Sequence, residues 1–275
     1  MQEVQRDGQN PEPLADLRTP EHFRQYFIYR LGMFLGQEPK LPLPSQEHVD
    51  RGKRIKDVGF TTYQPVACPE LAIVKGYQYP ENWKFRLYPW VYRQIANNNL
   101  EPGVLNLRQM YGWLDVSPGL DWKSDDPMLD PKMDQKMAEL LVGLRKKGGE
   151  GGIVVPGHVK HLDNTSPYGV SVDEGKNAVY PALAKIFGVN EGEVRNLKVA
   201  EFNFIGNYLY FGSNGKINLG GANSWVWLDE DFGAGRWLIG GHRVTGGLSR
   251  VRRDPSDDHS DRIRLRSLLV SPSVA

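Results

Sequence analysis

Glycine and proline interrupt the apolar segments of this chain at short intervals, which limits the length of any helix or strand. The 275 residues include 30 Gly and 19 Pro, together with 7 Trp, 12 Tyr and 10 Phe. Because glycine and proline end regular elements, this pattern favours short elements joined by irregular connections around an aromatic-rich core. We therefore predict a loop-rich fold with short strands.

Composition and charge narrow the function classes. The net charge of +1 gives no overall field that would attract nucleic acid or an anionic membrane. The single cysteine, Cys68, excludes an internal disulfide and a cysteine-based metal site, and we expect it to be a small buried residue. No segment approaches the roughly 18 consecutive apolar residues of a membrane helix, so no membrane insertion is expected.

The N-terminal segment is polar and acidic and lacks the apolar stretch of a secretory signal. We therefore expect synthesis in a cytoplasm, with any exposure outside the cell occurring on a virion or through a non-classical export route. Residues 1–18 resemble a flexible arm. This arm and the helix that follows it form the first predicted unit, residues 1–49, and residues 50–275 form a ligand-binding domain.

Three segments predict helices. Thr19 followed by Pro20 indicates a helix start, and Gly36 indicates its end. Apolar residues at helical spacing predict two further helices over 131–147 and 177–187, the latter ending at Gly188. Core packing is the expected role of the first helix, and a contact with a second subunit is the alternative. The apolar positions of the three helices are Phe23, Tyr26, Phe27, Tyr29, Leu31 and Phe34, then Met133, Met137, Leu140, Leu141 and Leu144, then Val179, Leu183, Ile186 and Phe187.

After residue 188 the pattern predicts strands, separated at most gaps by glycines. Gly212–Lys216 is interpreted as a turn between two of them. The predicted strands are Val199–Ile205, Tyr208–Phe211, Trp225–Leu228, Trp237–Ile239, Leu248–Arg252 and Ile263–Val270.

The sequence offers little support for an enzyme. His158, His161 and Asp163 are the best metal-like cluster, but their spacing does not match a zinc helix, so a polar loop is favoured. The glycine-rich stretch 148–152 lacks the Lys-Ser/Thr pair of a phosphate-binding loop. No serine lies in a Gly-x-Ser-x-Gly motif. We therefore expect no catalytic residues, no cofactor and no bound metal, and a metal-dependent hydrolase using the histidine cluster is the last alternative.

The C-terminal stretch from Trp237 combines apolar anchors with dense polar positions, and residues 252–262 are expected to be a solvent-facing loop. A solvated charged loop is the alternative interpretation. A nucleic-acid site is disfavoured because interleaved aspartates would repel phosphates. The polar positions, which we predict to form one exposed ligand-binding face, are His242, Arg243, Thr245, Ser249, Arg250, Arg252, Arg253, Asp254, Ser256, Asp257, Asp258, His259, Ser260 and Asp261.

The final segment alternates in polarity. Ile263 and Leu265 alternate with Arg262, Arg264 and Arg266, which predicts a half-buried strand with its arginines in solvent. Trp225, Trp227 and Trp237 are expected to support the frame rather than contact a ligand.

The C-terminal third of the chain resembles the variable proteins of diversity-generating retroelements, which have a C-type-lectin-like fold of the formylglycine-generating-enzyme type. The resemblance covers about residues 222–272 and departs from the family at two positions, with Arg264 in place of the usual Gly and Leu265 in place of Phe. Together with the helix and strand patterns, the resemblance implies an α+β fold, namely a C-type-lectin-like domain with short twisted strands, two or more helices and extensive loops, and a variable region at about 238–266. The matching residues are Trp225-Val-Trp227, Gly240-Gly241, Gly246-Gly247-Leu248, Pro255 and Arg264-Leu265-Arg266.

In that family, adenines of the gene are randomised, mostly in Asn-type codons, which can become Arg, Asp, His, Ser, Gly or Thr but not Lys, Glu or Gln. Residues 236–275 contain eight Arg and no Lys, and four Asp with no Glu or Gln. The rest of the chain uses Lys freely. The composition of the segment therefore agrees with the diversified version of the fold.

The sequence thus predicts a binding protein and not an enzyme. The expected partner is a protein or a cell-surface ligand, as for a viral receptor-binding protein or an adhesin, with the formation of homo-oligomers left open. The first alternative is a phage or cellular structural protein of the same fold with a fixed surface.

Overall fold

The computed structural model describes residues 17–117, 134–147, 152–154, 164–219, 224–242, 250–260 and 262–271. Both helices and strands are present, so the predicted α+β class is confirmed. Within these residues, no helix is long and apolar enough to cross a membrane. Several predicted features lie outside the described residues: residues 1–16 of the arm, residues 148–151 of the glycine-rich stretch, the cluster of His158, His161 and Asp163, and the Gly246-Gly247-Leu248 motif.

The helices occur in both halves of the chain. They are α1 (Pro20–Leu35), α2 (Gln46–Asp57), α3 (Pro89–Ala96), α4 (Gln135–Lys147), α5 (Val172–Glu174), α6 (Tyr180–Phe187) and α7 (Val199–Gly212). A π-helical segment, Gly175–Val179, joins α5 to α6 without a break.

The strands form three sheets with the orders β1-β4-β10-β5, β2-β3 and β8-β7-β6-β9. Their bounds are β1 (Tyr63–Cys68), β2 (Leu71–Ala72), β3 (Asn106–Leu107), β4 (Met110–Asp115), β5 (Val194–Arg195), β6 (Ser224–Gly233), β7 (Arg236–His242), β8 (Arg250–Pro255), β9 (Ile263–Arg264) and β10 (Leu268–Val270).

The first helix begins and ends where the sequence predicts. The Thr19 side chain accepts a hydrogen bond from the His22 backbone N–H, and Gly36 adopts φ 73° after the last turn. Phe23 is buried and lies 5.6 Å from Tyr111 and 6.0 Å from Trp113 of β4, measured between ring centroids. The α1 helix therefore shares the hydrophobic core of the first sheet through Phe23, Phe27, Leu31 and Phe34, whereas Tyr29 of the predicted stripe is 40% exposed.

The other two helix predictions are confirmed with adjustments. In α4, Met137, Leu141 and Leu144 are buried, whereas Met133 lies outside the described residues. The predicted helix 177–187 is the second part of the continuous helical stretch from Val172, and Gly188 ends it with φ 66°. Ile186, assigned to the apolar face, is instead 39% exposed.

The strands predicted at Val199–Ile205 and Tyr208–Phe211 are wrong, since both segments belong to α7. Every residue of α7 from Val199 to Leu209 is buried. A helix that is buried on all sides has no polar face, so its sequence lacks the helical periodicity that would distinguish it from a run of strands. Gly212–Lys216 consequently follows a helix end and does not join two strands.

The last predicted strand, Ile263–Val270, is divided between two sheets. Residues Ile263–Arg264 pair in parallel with β6, and Leu268–Val270 pair with β4 and β5. The chain therefore crosses from one sheet to the other over Leu265–Ser267, and β10, the last strand, lies inside the first sheet. Cys68, at the end of β1, is free and buried as predicted.

The pair Gly240-Gly241 lies where β7 contacts two neighbours. A Cβ atom on Gly240 would lie 2.6 Å from the ring of Phe202 in α7. Gly241 has φ 153°, and a Cβ atom there would lie 2.4 Å from the Ser224 carbonyl oxygen in β6. Both distances are shorter than a real Cβ contact, so only glycine allows helix and strands to approach β7 this closely.

Replacing Gly241 by Ala is expected to lower the free energy of unfolding by about 1–3 kcal/mol, because the new methyl group must displace β6 backbone. Urea denaturation measures the change. Gly103→Ala is the matched control, since a Cβ atom on Gly103 has nothing within 4 Å. Equal losses in the two variants would contradict the close approach of β6 and β7.

His48 in α2 is buried in an aromatic cage. Its ring centroid lies 5.2 Å from that of Phe23 and 5.7 Å from that of Tyr111, and its Nδ1 contacts the Ser271 hydroxyl. Burial, reinforced by the neighbouring charge of Arg51, lowers the pKa of His48 to about 3. The imidazole therefore stays neutral in the folded protein at all moderately acidic pH values.

Because an unfolded histidine binds a proton below its ordinary pKa of 6.5, the unfolded state holds more protons than the folded state between that value and about 3. We expect stability to fall as the pH is lowered through this window. His48→Phe should flatten the dependence of unfolding free energy on pH. An unaltered slope in His48→Phe would contradict this assignment.

Candidate ligand-binding face

The candidate site is the surface formed by Arg250–Ser260, called here the C-terminal face. Its first half is strand β8, which pairs with β7 from Arg250↔Gly241 to Pro255↔Arg236. The backbone N–H of Ser256 then donates to the Gly235 carbonyl at 2.9 Å. Regular structure thus continues to Pro255, so the loop predicted for residues 252–262 is wrong for its first four residues, which belong to β8.

The described side chains of the C-terminal face are exposed or half-exposed, except Val251. Val251 is 1% exposed because it is part of the core beneath the strand. Of the other predicted site residues, His242 belongs to β7 but its side chain is outside the described residues, as are Arg243, Thr245, Ser249 and Asp261. The exposed positions are Arg250, Arg252, Arg253, Pro255 and Asp257, and the half-exposed ones are Asp254, Ser256, Asp258, His259 and Ser260.

Strand alternation separates the arginines of β8. Successive residues of a strand point to opposite faces, so Arg252 and Arg253 diverge. The Arg252 guanidinium lies 4.4 Å from the ring centroid of Trp225, whereas that of Arg253 lies 4.7 Å from the ring of Phe232. The predicted single face therefore wraps around the edge of the sheet at β8.

One ion pair occurs within the C-terminal face. Arg252 donates from Nη2 to Oδ2 of Asp254 at 2.9 Å. Partial burial raises the pKa of Asp258 above its ordinary value, and the nearby charge of Asp254 adds to the increase. The aspartates thus form a local acidic region beside the arginines of β8.

The second half of the face, Ser256–Ser260, is attached to the segment before α5. The Val172 N–H donates to the Ser256 carbonyl, and the Gly169 N–H donates to the Ser260 carbonyl, both at 3.2 Å. His259 Nε2 lies 2.9 Å from Oε2 of Glu174. Main-chain bonds at both ends therefore fix this turn, while most of its side chains reach solvent.

Chemically, the C-terminal face offers directional hydrogen bonding. Arginine presents a planar set of N–H donors, and aspartate and serine present acceptors. The rings of Trp225 and Phe232 support the arginines from below through cation–π contacts. Such a surface can recognise a ligand without covalent chemistry.

Arg264 and Arg266 are buried, so the prediction that they face solvent is wrong. They are 1% and 0% exposed. Arg264 Nη2 lies 3.1 Å from Oδ2 of Asp115 and also contacts the Ser117 hydroxyl. Arg266 donates to the carbonyl oxygens of Asp115 and Ser117. The segment around Arg264 alternates in polarity like a half-buried strand, but it is buried because its arginines bind Asp115 and Ser117, which are more than a hundred residues away in the chain.

Burial alone would raise the pKa of Asp115, but Arg264 and Arg266 and the hydrogen bonds from Ser117 outweigh it and hold the pKa below its ordinary value. The Tyr63 hydroxyl contacts Ser267 beside this cluster. Asp115 therefore remains ionised in the core, where its charge is matched by the crossover between β9 and β10.

The tryptophans divide into two groups. Trp225 and Trp227 are buried in β6, and the Trp227 indole N–H donates to the Val170 carbonyl at 3.0 Å. Trp237 is only half-buried, and Lys176 Nζ lies 3.5 Å from its ring centroid. The frame role expected for all three is thus supported by the burial of the first two.

The sequence analysis missed the aromatic neighbours of the C-terminal face. Phe232 stacks with Trp90 of α3 at 5.7 Å between ring centroids, with 21° between the ring planes. Tyr88, just before α3, lies 5.9 Å from the Arg250 guanidinium. No local pattern links α3 to β8, because the two are more than 150 residues apart in the chain.

Among the described residues, no group of three His, Cys, Asp or Glu side chains is arranged to hold a metal ion. His158, His161 and Asp163 lie outside those residues, so the expectation of no metal at this cluster stays a prediction.

Comparisons with protein-family models, with curated proteins and with solved structures find no match to this chain. The contacts described above are therefore the basis of the functional argument.

A buried and an exposed arginine should respond differently to truncation. Arg264→Ala leaves the Asp115 carboxylate buried without its ion-pair partner, and we expect a loss of about 3–5 kcal/mol of unfolding free energy. Arg108→Ala removes an exposed side chain and should change stability by no more than about 0.5 kcal/mol. Chemical denaturation of both variants measures the difference, and similar losses would refute the division into buried and exposed arginines.

Proposed function

We propose that this protein is a ligand-binding recognition protein, a variable protein of a diversity-generating retroelement with a C-type-lectin-like fold. Its C-terminal face contacts a protein or cell-surface ligand, and it acts by binding, without catalysis. The observation that carries the proposal is the separation of roles within Arg250–Ser260. The backbone of this stretch is bonded to the frame, while the polar side chains are exposed or half-exposed.

This separation suits a surface whose side chains change from copy to copy. Exposed substitutions usually alter stability by less than about 0.5 kcal/mol, so many sequences are compatible with one frame. The main-chain hydrogen bonds of β8 with β7, and those of Ser256 and Ser260 with Val172 and Gly169, do not depend on the identity of the side chains. Affinity in such a surface comes from a few central residues and is therefore easily changed.

The closing segment supports the C-type-lectin-like assignment. Arg264-Leu265-Arg266, which parallels the closing strand of that family, crosses from the second sheet to the first. Gly240-Gly241, the second parallel, occupies a place where only glycine fits. Gly240-Gly241 and Arg264-Leu265-Arg266 thus have packing roles, while the described polar residues between them are exposed or half-exposed.

The positions of the arginines agree with a division between exposed ligand-binding residues and buried frame residues. The Lys-free segment 236–275 contains three arginines in β8 that lie at the surface and two in the crossover that are buried. Adenine-directed substitution explains arginine without lysine at the surface positions, whereas Arg264 and Arg266 are explained by their contacts with Asp115 and Ser117.

Sequencing many natural copies of this gene tests the proposal. We expect substitutions to concentrate at adenine-containing codons for the polar positions between His242 and Asp261. The codon for Val251 should stay constant although its neighbours vary, because Val251 is buried between Arg250 and Arg252. The codons for Ile263–Val270 provide a second constant control.

A uniform sequence at Arg250, Arg252, Arg253 and Asp257 across copies would overturn the diversified assignment and leave a protein with a fixed surface. Variation that includes Val251 as often as its neighbours would show that substitution is not matched to this frame. A nearby reverse transcriptase gene and a near-identical template repeat are the accompanying expectation.

A further inference from the structure

An aromatic and cationic patch, called here the α3–β8 patch, lies at the edge strand β8, and Arg250 and Arg253 extend to it from opposite faces of that strand. Its members are Tyr88, Trp90, Phe232, Arg250 and Arg253. Arg253 lies over Phe232, and Phe232 stacks in turn with Trp90. Arg250 lies 5.9 Å from the ring centroid of Tyr88. The two arginines are exposed and the three rings are half-exposed, so the whole patch is accessible.

The charges of Arg250 and Arg253 are not matched within the described parts of the chain. No carboxylate oxygen there lies within 4.0 Å of either guanidinium, in contrast to Arg252 with Asp254 at 2.9 Å and Arg195 with Glu201 at 2.7 Å. The central carbon of the Arg253 guanidinium lies 4.7 Å from the centroid of the Phe232 ring. A guanidinium supported by an aromatic ring can still donate two parallel hydrogen bonds to a carboxylate.

The charges beside the patch favour protein over other anionic polymers. Asp254, Asp257 and Asp258 follow directly in the chain, and they would repel a regular array of phosphates or sugar carboxylates. A polypeptide can place acidic residues against the arginines and basic or neutral residues against these aspartates. Its apolar side chains can also cover the rings, since Trp, Tyr and Arg are the residues that contribute most at protein interfaces.

We propose that the α3–β8 patch binds a carboxylate-bearing segment of a partner protein, with Arg250 and Arg253 pairing with its acidic side chains and Trp90 and Phe232 packing against it. This inference rests on the proposed function, since it assigns a ligand chemistry to part of the same face. It adds Tyr88, Trp90 and Phe232, which lie outside the polar segment, as a constant aromatic platform beneath changeable arginines.

Fluorescence anisotropy of the full chain with a labelled ten-residue peptide, in which two glutamates stand among leucine and serine residues, tests the inference. We expect saturable binding that weakens at least tenfold in the double variant Arg250→Ser/Arg253→Ser and several-fold in Trp90→Ala. Arg250→Lys/Arg253→Lys keeps the charge but loses the paired donors, so it should give an intermediate loss. Arg108→Ser, at an exposed arginine next to β3, is the matched control and should bind as the unaltered chain does.

Unlabelled competitors identify the class of partner. A ten-lysine peptide should not compete, and a single-stranded oligonucleotide or polygalacturonate should compete only weakly. Equal or stronger competition by the oligonucleotide or the polysaccharide would overturn the assignment to protein. Two outcomes would overturn the patch itself. The first is no binding of the glutamate peptide to the unaltered chain, and the second is unchanged binding in both double variants, with thermal denaturation showing that they are folded.

The two proposals fail separately. Copy-to-copy variation at the C-terminal face without glutamate-peptide binding would leave the recognition function standing and remove only the assigned ligand chemistry. Peptide binding that depends on the patch, in a gene that does not vary, would leave a fixed acidic-segment binder and remove the diversified assignment.

Discussion

The buried contact between Asp115 and the crossover arginines is the interaction on which the rest of the structure depends. Asp115 ends β4 in the first sheet, Arg264 ends β9 in the second, and the 3.1 Å bridge between them joins the two sheets across the core. An unpartnered buried charge is strongly unfavourable, so this pairing selects one register for the closing segment. With that register fixed, Leu268–Val270 enter the gap between β4 and β5.

Fixing the closing segment also fixes the surface that precedes it. The C-terminal face begins at a strand bonded to β7 and ends just before β9, so both of its ends are held by elements of the frame. The Gly240-Gly241 pair brings α7 and β6 directly against β7 and leaves little freedom beneath the face. The exposed side chains are therefore presented by a scaffold whose stability is determined elsewhere.

Structure that depends on neighbouring residues is predicted well from the sequence, whereas structure that depends on contacts between distant residues is not. Thr19, Pro20 and Gly36 determine α1 through capping and turn chemistry that acts within a few residues. The segment of α7 has the sequence pattern of strands because it is buried on every side and therefore lacks the periodic polar face by which a helix is recognised in a sequence. Arg264 and Arg266 were placed in solvent because their partners, Asp115 and Ser117, are nearly 150 residues away. Polar density indicated an exposed segment at Arg250–Ser260, but nothing near it in sequence indicated Trp90 or Phe232.

The position of β10 inside the first sheet has a consequence for synthesis of the protein. Strands β4 and β5 are made long before Leu268–Val270, and their shared neighbour is missing until the whole polar segment has been translated. Pairing over so many residues is slow, because a long loop has to close before any contact forms. A frameshift or early stop anywhere in Arg250–Ser260 would remove both the counter-charge of Asp115 and the central strand. A chain that lacks the residues after the polar segment cannot complete the first sheet or neutralise Asp115. Native packing therefore requires that the segment displayed by the fold has been translated to its end in the correct reading frame.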